Sequence, residues 1–344
     1  MPEWEDIHLK NGYPDWIIKF PEFLPPYIYP GCKLRKLVRK FDLILTAGEH
    51  IIPVLKLNKP IVILPVGGDL TRLPFGNNTF MQEIHSYLFR KRINKAKYII
   101  TEQEDIAWAS KLLGQGDKII RFPFLVDVHQ LKENINHSLL DELKEKYKDL
   151  DGIIFHPTRK NLDPKRIDYK GNDKLLIAFK RFIEEHPEKQ ISMISGLHGR
   201  HADQYKAMVK RLELRKYVEF IDHLSLPDLH AYMALDHAVV FDQFTHNLNT
   251  LGGIQREAMA FGKPVVSSTD VNSPEFIAAY GKNCPLWPAF NEEEIYRCME
   301  EIFSKSAGEW KKINHITLSW IEEHLHWDNR IDEFISILKR TLES

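Results

Sequence analysis

Two stretches hold the residues with the clearest chemical capacity. The first, VVFDQFTHNLNTLGGIQREAMAFGKPVVSS from Val239 to Ser268, carries a glycine pair, Gly252-Gly253, where a polar loop gives way to a helical pattern. The first amides of a helix have no partner within it and stand at the positive end of its dipole, so such a start favours a bound anion. Glycine also lets a phosphate approach the backbone closely. Glu257, one turn into that helix, offers a carboxylate that can accept from a ribose diol. The second stretch, IIFHPTRKNLDPKRIDYKGNDKLLIAF from Ile153 to Phe179, sets Arg159 just beyond an apolar strand. It then delivers Lys170-Gly171 to an amphipathic helix with Asn172 or Asp173 as its N-cap. A pyrophosphate needs positive charges converging from different loops, for which Arg supplies a fork and Lys a point charge. Each feature has a plainer reading as well. Gly-Gly before a helix is often only a turn, Glu257 can merely complement the dipole, and loop cations are commonly solvated.

Short β-branched runs alternating with amphipathic helices must position these residues, the signature of βαβ units and a parallel sheet. After Asp151 the rhythm predicts strands at Gly152–His156, Gln190–Ser195, Val218–Ile221, Ala238–Phe241 and Pro264–Ser267. The helices between them are expected at Asp173–His186, Asp203–Leu212, Leu226–Ala234 and Gly253–Phe261, with a terminal helical stretch over Glu292–Leu342. Arg159 and Gly252 then lie outside the carboxyl ends of parallel strands, where doubly wound sheets bind ligands. Earlier in the chain, strands are expected at Phe41–Thr46, Pro60–Pro65 and Tyr98–Thr101, and helices at Leu34–Lys40, Met81–Arg92 and Glu104–Leu113. Met1–Pro30, rich in aromatics and prolines, reads as irregular. Phe122–Lys146 is where a linker belongs.

The chain has 344 residues, 43% of them hydrophobic and 28% charged, which is ordinary for a globular protein of two domains. The formal net charge of -1 gives no overall field for nucleic acid. Residues 1–127 hold 18 Lys and Arg against 14 Asp and Glu, a weak local excess. The three cysteines, Cys32, Cys284 and Cys298, suit neither a zinc site nor a disulfide framework. Of the 16 histidines, His198 with His201 and His324 with His326 lack a third ligand at metal-binding spacing, so no metal is expected. No apolar run reaches the length of a membrane span, and the start lacks the order of a signal peptide. A cytoplasmic protein is expected. Lys33–Lys40 and Arg90–Lys97 are candidates for peripheral contact with the cytoplasmic face of a membrane.

Both stretches resemble the retaining glycosyltransferases of family 4, which have the GT-B fold. That family's Gly-Arg, loop, Lys-Gly segment is matched by Thr158-Arg159 and Lys170-Gly171, with threonine in place of the glycine. Its signature EGFG…EAMA.G.PVV is matched by NTLGGIQREAMAFGKPVV at Gly252, Glu257, Ala258, Met259, Ala260, Gly262, Pro264, Val265 and Val266. FPFLVDVHQL (Phe122–Leu131) resembles the family's interdomain segment. Val218–Leu229, which includes Leu224, resembles the segment beside the nucleobase, and LPVGGDLTR (Leu64–Arg72) resembles an N-domain loop.

The resemblance implies an α/β chain of two Rossmann-like domains facing each other across a cleft. Residues 1–127 would form an N-terminal acceptor domain that is short, either pared down or, as its interior-like opening favours, incomplete because the chain begins partway into it. Residues 128–344 would form the donor domain, with terminal helices packing back on the first. A hexosyltransferase of the retaining type is implied, using a nucleotide sugar as substrate, a glycan or lipid-linked acceptor and no cofactor, in cell-envelope polysaccharide synthesis. Arg159 and Lys170 would neutralise the donor diphosphate, the Gly252 and Gly253 amides would touch phosphates or sugar, and Glu257 would hold the ribose. Thr158, Asp242, Gln243, Asn249, Thr250 and Leu224 complete the implied donor site, and Gly67, Gly68 and Asp69 the N-domain side of the cleft. Two positions depart from the family. Asn249 replaces the signature's first glutamate, with Asp242-Gln243 upstream as an alternative acidic contact, and Val66 replaces the N-domain histidine. A non-catalytic nucleotide-sugar-binding or scaffold relative, or a nucleotide-sugar 2-epimerase, therefore stays open.

Overall fold

The computed structural model describes residues 32–47, 51–65, 68–76, 79–166, 169–245 and 248–343, with the side chains of Cys32, Lys33, Gly68, Asp69 and Met81 left aside. Met1–Pro30, Val66 and Gly67 lie outside the described residues. The chain divides into two compact units. One comprises Met1–Ile99, Ala109–Lys118 and Thr341–Ser344, and the other Ile100–Trp108 and Ile119–Arg340.

A four-stranded sheet has the order β1 (Ile44–Thr46), β2 (Ile61–Ile63), β3 (Ala96–Thr101), β4 (Ile119–Arg121), with β1–β2 and β2–β3 parallel. The IVI of β2 is buried at every position, so its sequence is a continuous apolar run without alternation. Helix Phe80–Arg92 starts at Thr79, whose hydroxyl accepts from the Gln82 amide, and ends on Arg90, Lys91 and Arg92, which complement its dipole. Strand β4 is an addition to the sequence reading. Its three half-buried residues carry too little pattern to announce a strand.

The second sheet has six strands: β5 (Gly152–His156), β6 (Ile191–Gly196), β7 (Val218–Ile221), β8 (Ala238–Phe241), β9 (Val265–Ser267) and β10 (Trp287–Pro288). Their order is β10-β9-β8-β5-β6-β7, and every pairing is parallel. Counted from β5 this is 3-2-1-4-5-6, the order of a Rossmann sheet, with its reversal between β5 and β8. Successive residues serve opposite faces. Ile153 and Phe155 of β5 and Val240 of β8 join one buried cluster, while Ile154, Val239 and Phe241 join the other. Each fully buried side chain of this size stabilises the fold by ~1.5–3 kcal/mol relative to exposure.

Phe122–Lys146 is not a plain linker. It holds two helices, Val128–Glu133 and His137–Lys146, N-capped by Asp127 and Asn136. Leu140 and Leu143 are buried in the sheet's core, and Asn136 Nδ2 donates to Asp228 Oδ1 at 2.7 Å. The i, i+3 spacing of those leucines, just after an Asn cap, is what makes the segment a packed helix. The terminal helical stretch resolves into Glu292–Phe303, Ala307–Leu325 and Trp327–Glu343, the middle one begun by a Ser306–Glu309 capping box. Among the described residues no helix is long and apolar enough to cross a membrane.

Candidate functional site

In a sheet of this order ligands bind outside the carboxyl ends of the strands where the order reverses, here between β5 and β8. β5 runs into Pro157-Thr158-Arg159-Lys160, and β8 into Asp242-Gln243. A buried polar network joins the two. Thr158 Oγ1 donates to Asp242 Oδ1 at 2.6 Å, and Gln255 Nε2 donates to Asp242 Oδ2 at 2.9 Å. Gln255 Oε1 in turn accepts from Thr269 Oγ1 at 3.2 Å. Asp242 is 5% exposed and Gln255 0%, so both carboxylate oxygens are engaged inside the protein.

Beneath this network lies Lys160, which is fully buried. Its Nζ donates to Thr158 O at 2.7 Å and His156 O at 3.2 Å, and sits 4.8 Å from the Tyr205 ring centroid. Burial drives the Lys160 pKa well down, against the upward pull of the Asp242 charge. His156 is held neutral, first by burial and then by the Lys160 charge. Its Nδ1–H donates to Phe241 O at 2.6 Å, and its Nε2 accepts from Asn172 Nδ2 at 2.9 Å. One imidazole thereby ties β5 to the end of β8 and to the first residue of helix Asn172–Glu185.

The Lys170-Gly171 turn is fastened to the β8 loop. Phe244 N donates to Lys170 O at 2.9 Å, Lys170 N donates to Asn161 O at 3.1 Å, and the Lys170 ammonium donates to Gln243 Oε1. Gly171 caps the helix with φ +64°, and a Cβ there would stand 2.3 Å from Phe244 O. Only glycine meets both conditions. Gly171→Ala is therefore expected to lower Tm by about 5 °C or more, since the left-handed geometry alone costs ~1–2 kcal/mol and Phe244 must move as well. A thermal melt against wild type checks it.

Arg159 is exposed on a loop clamped from its other side. Lys160 N donates to His198 O at 2.8 Å, and His201 N to Lys160 O at 2.9 Å. Gly199, at φ +106°, lets Lys160 N come within 2.7 Å of where a Cβ would be.

Helix Gly253–Ala260 begins at Gly252, which supplies no side-chain cap. A Cβ on Gly252 would lie 3.4 Å from Asp242 Oδ2 and 3.7 Å from Gln243 Nε2, whereas one on Gly253 would meet nothing within 4 Å. The helix start thus borders the Asp242–Gln243 loop on one side and open space on the other. Glu257 is a quarter exposed, and its Oε2 is 3.3 Å from His230 Nε2. Asn249 and Thr250 are half-buried, and neither side chain has a hydrogen-bond partner among the described residues. Leu224, half-buried on the loop after β7, packs against the core just before Ser225 caps helix Leu226–Met233.

Thr158, Lys170, Asp242, Gln243 and Gly252 are thus brought together, with Arg159 and Glu257 on the adjoining loop and helix. Gly68 and Asp69 open the short helix Gly68–Thr71, their side chains and Gly67 being outside the described set. Among the described residues no group of three or more His, Cys, Asp or Glu can hold a metal.

Residues 164–313 match the family model of glycosyl transferases group 1, a span that includes Lys170, Asp242 and Glu257 and stops short of Arg159. No curated protein matches the chain. Among solved structures, a glycosyltransferase of Rickettsia africae aligns with 95% of this chain and 84% of its own, at 15% identity and a TM-score of 0.64. Anabaena HepE in complex with UDP aligns with 90% and 81%, at 16% identity and a TM-score of 0.63. The fold is GT-B. A UDP-GlcNAc 2-epimerase from Neisseria meningitidis, bound to UDP-GlcNAc, follows at 16% identity and a TM-score of 0.50 over 89% of this chain and 79% of its own.

Within this GT-B chain, several residues that shape the site escape sequence reasoning: Lys160, Gln255, His230 and the pair Arg256–Glu102. Asn172, expected with Asp173 as a candidate N-cap, is instead the first helix residue after Gly171 and turns its amide to His156 and Asn161. Arg256 Nη1 lies 2.6 and 2.9 Å from the two Glu102 oxygens, and Glu102 Oε2 also accepts from Phe124 N at 2.7 Å. Gln255 leaves one legible trace, a polar residue on the same helical stripe as the apolar Ala258 and Met259. The others sit beside better-known neighbours and lack any pattern of their own.

Proposed function

We propose that the protein is a glycosyltransferase that moves a hexosyl group from a nucleotide sugar to a glycan or lipid-linked acceptor, with retention of anomeric configuration, in cell-envelope polysaccharide synthesis. The observation that carries this reading is the convergence of Lys170, Gln243, Asp242 and Gly252 at the reversal between β5 and β8. The family match over residues 164–313 supports it. HepE structures solved with UDP and with UDP-glucose support uridine diphosphate sugars as the donors to try first.

In this reading Arg159 and Lys170 neutralise the diphosphate as it leaves, the free amides at the start of helix Gly253–Ala260 hold its phosphates, and Glu257 takes the ribose. Positioning and fixed charge supply the catalysis. Asp242 is 5% exposed and held at both oxygens by Thr158 and Gln255, so it supports the site from below, and Asn249 and Thr250 are the polar groups left for sugar hydroxyls. Thermal-shift measurements with UDP-, GDP- and ADP-sugars test the donor. A ligand at one hundred times its Kd stabilises by ~2.7 kcal/mol, which a melt resolves readily. A shift with a UDP-sugar, followed by NMR detection of a product with the donor's anomeric configuration, is the expected result. No shift with any nucleotide sugar overturns the reading, and a shift without turnover favours a non-catalytic binder.

A further inference from the structure

His230 reaches the site through Glu257 alone, and its placement is unusual. It is 2% exposed on helix Leu226–Met233, with its ring centroid 5.3 Å from that of Phe261. Nδ1 is buried with no hydrogen-bond partner among the described residues, while Nε2 meets Glu257 Oε2 at 3.3 Å. A carboxylate only accepts, so Nε2 carries the proton and donates. A buried ring nitrogen without a partner costs stability. Folding alone is better served by an apolar ring at this position, against Phe261 and the core around it. Among the described residues the one polar contact the ring makes goes to the carboxylate of the helix that begins at Gly252.

We infer that His230 is a positioning residue that locks the Glu257 carboxylate in the orientation for accepting both hydroxyls of the ribose. The inference rests on the nucleotide-sugar reading above. A glutamate a quarter exposed in the second turn of a helix samples several rotamers. Held at Oε2 by a ring that is itself packed, it presents Oε1, which has no partner among the described residues, in one fixed direction. A carboxylate has room for about four donors, so the imidazole and the diol can be accepted together. The contact also joins the helix that follows Leu224, on the expected base side, to the helix on the ribose side, so base and ribose would be registered against each other.

The experiment compares UDP with 2′,3′-dideoxy-UDP by titration calorimetry on the full chain. Wild type is expected to prefer UDP by about tenfold or more, the scale of hydrogen bonds to a charged acceptor. In His230→Phe the preference should fall below about threefold, with affinity for the dideoxy nucleotide held within about twofold and with the Tm of the free protein retained. His230→Gln, which keeps an N–H donor, should recover part of the preference. Glu257→Ala should abolish it. An unchanged preference in His230→Phe overturns the inference, and so does an equal loss of affinity for both nucleotides. If wild type binds both nucleotides equally, the ribose contact and this inference fail together while diphosphate binding stands. If it binds neither, the nucleotide-sugar reading itself fails and takes the inference with it.

Discussion

Lys170→Ala should lower kcat for sugar transfer by about 10²–10³-fold, with a much smaller change in KM for the donor. The leaving nucleoside diphosphate gains negative charge as the glycosidic bond breaks, so a cation fixed beside it stabilises the transition state more than the ground state. In the proposed reaction Lys170 would be that cation. Its backbone is tied at N to Asn161 and at O to Phe244, its ammonium is held by Gln243, and Gly171 behind it has no room for a side chain. Little reorganisation is left to be made during the reaction. Lys170→Arg keeps the charge but brings a wider fork to a place sized by the Gln243 amide, so it should recover activity only in part. Steady-state kinetics on the three proteins decide the matter. If Lys170→Ala raises KM with kcat unchanged, Lys170 binds the donor uniformly and does not stabilise the leaving group.

The six-stranded sheet is legible because most of its strands are buried on both faces. Runs such as IIFH in β5 and AVVF in β8 have no other plausible home, and five of the six strands of that sheet follow from them. β10 has only two residues and no pattern, and it is visible only through its pairing with β9. Phe122–Lys146 misled because its helices are short and begin on Asp127 and Asn136, residue types that also punctuate loops. In the site, Lys170, Gly171 and Gly252 stand out because backbone constraint leaves a mark on residue type. Asp242 was visible as an acid at a strand end, but its engagement by Thr158 and Gln255 was not, because the partners are 84 and 13 residues away. Buried polar networks depend on such distant pairings, and no local periodicity records them.

The Arg256–Glu102 pair is of that kind, and breaking it by removing one partner is expected to have the largest effect on stability. Glu102 has a side chain 1% exposed and Arg256 13%, with both Glu102 oxygens facing one guanidinium nitrogen. The Phe124 amide donates to the same carboxylate, and the guanidinium lies 5.6 Å from the Phe124 ring centroid. Tyr280 borders the pair. Its phenol accepts from Leu251 N at 3.0 Å, and burial first, then the Glu102 charge, holds its pKa well above the ordinary value. The network thus fastens the Gly252–Glu257 segment from beneath, through Arg256 in the helix and through Leu251 just before it.

Glu102→Ala leaves a guanidinium in a place water barely reaches, and should cost ~3–5 kcal/mol in urea unfolding. Arg256→Met should cost a similar amount by stranding the carboxylate. Removing both charges together, as Glu102→Leu with Arg256→Met, should restore most of the stability, because the desolvation of both ions is then relieved. Activity should not return with it. The apolar pair fills the space but no longer fixes the turn of the helix that sets Glu257 against His230 and Gly252 against Asp242. A double variant that melts like wild type yet binds UDP weakly would separate the two roles of the pair. One that recovers both stability and binding would show that packing alone positions the helix.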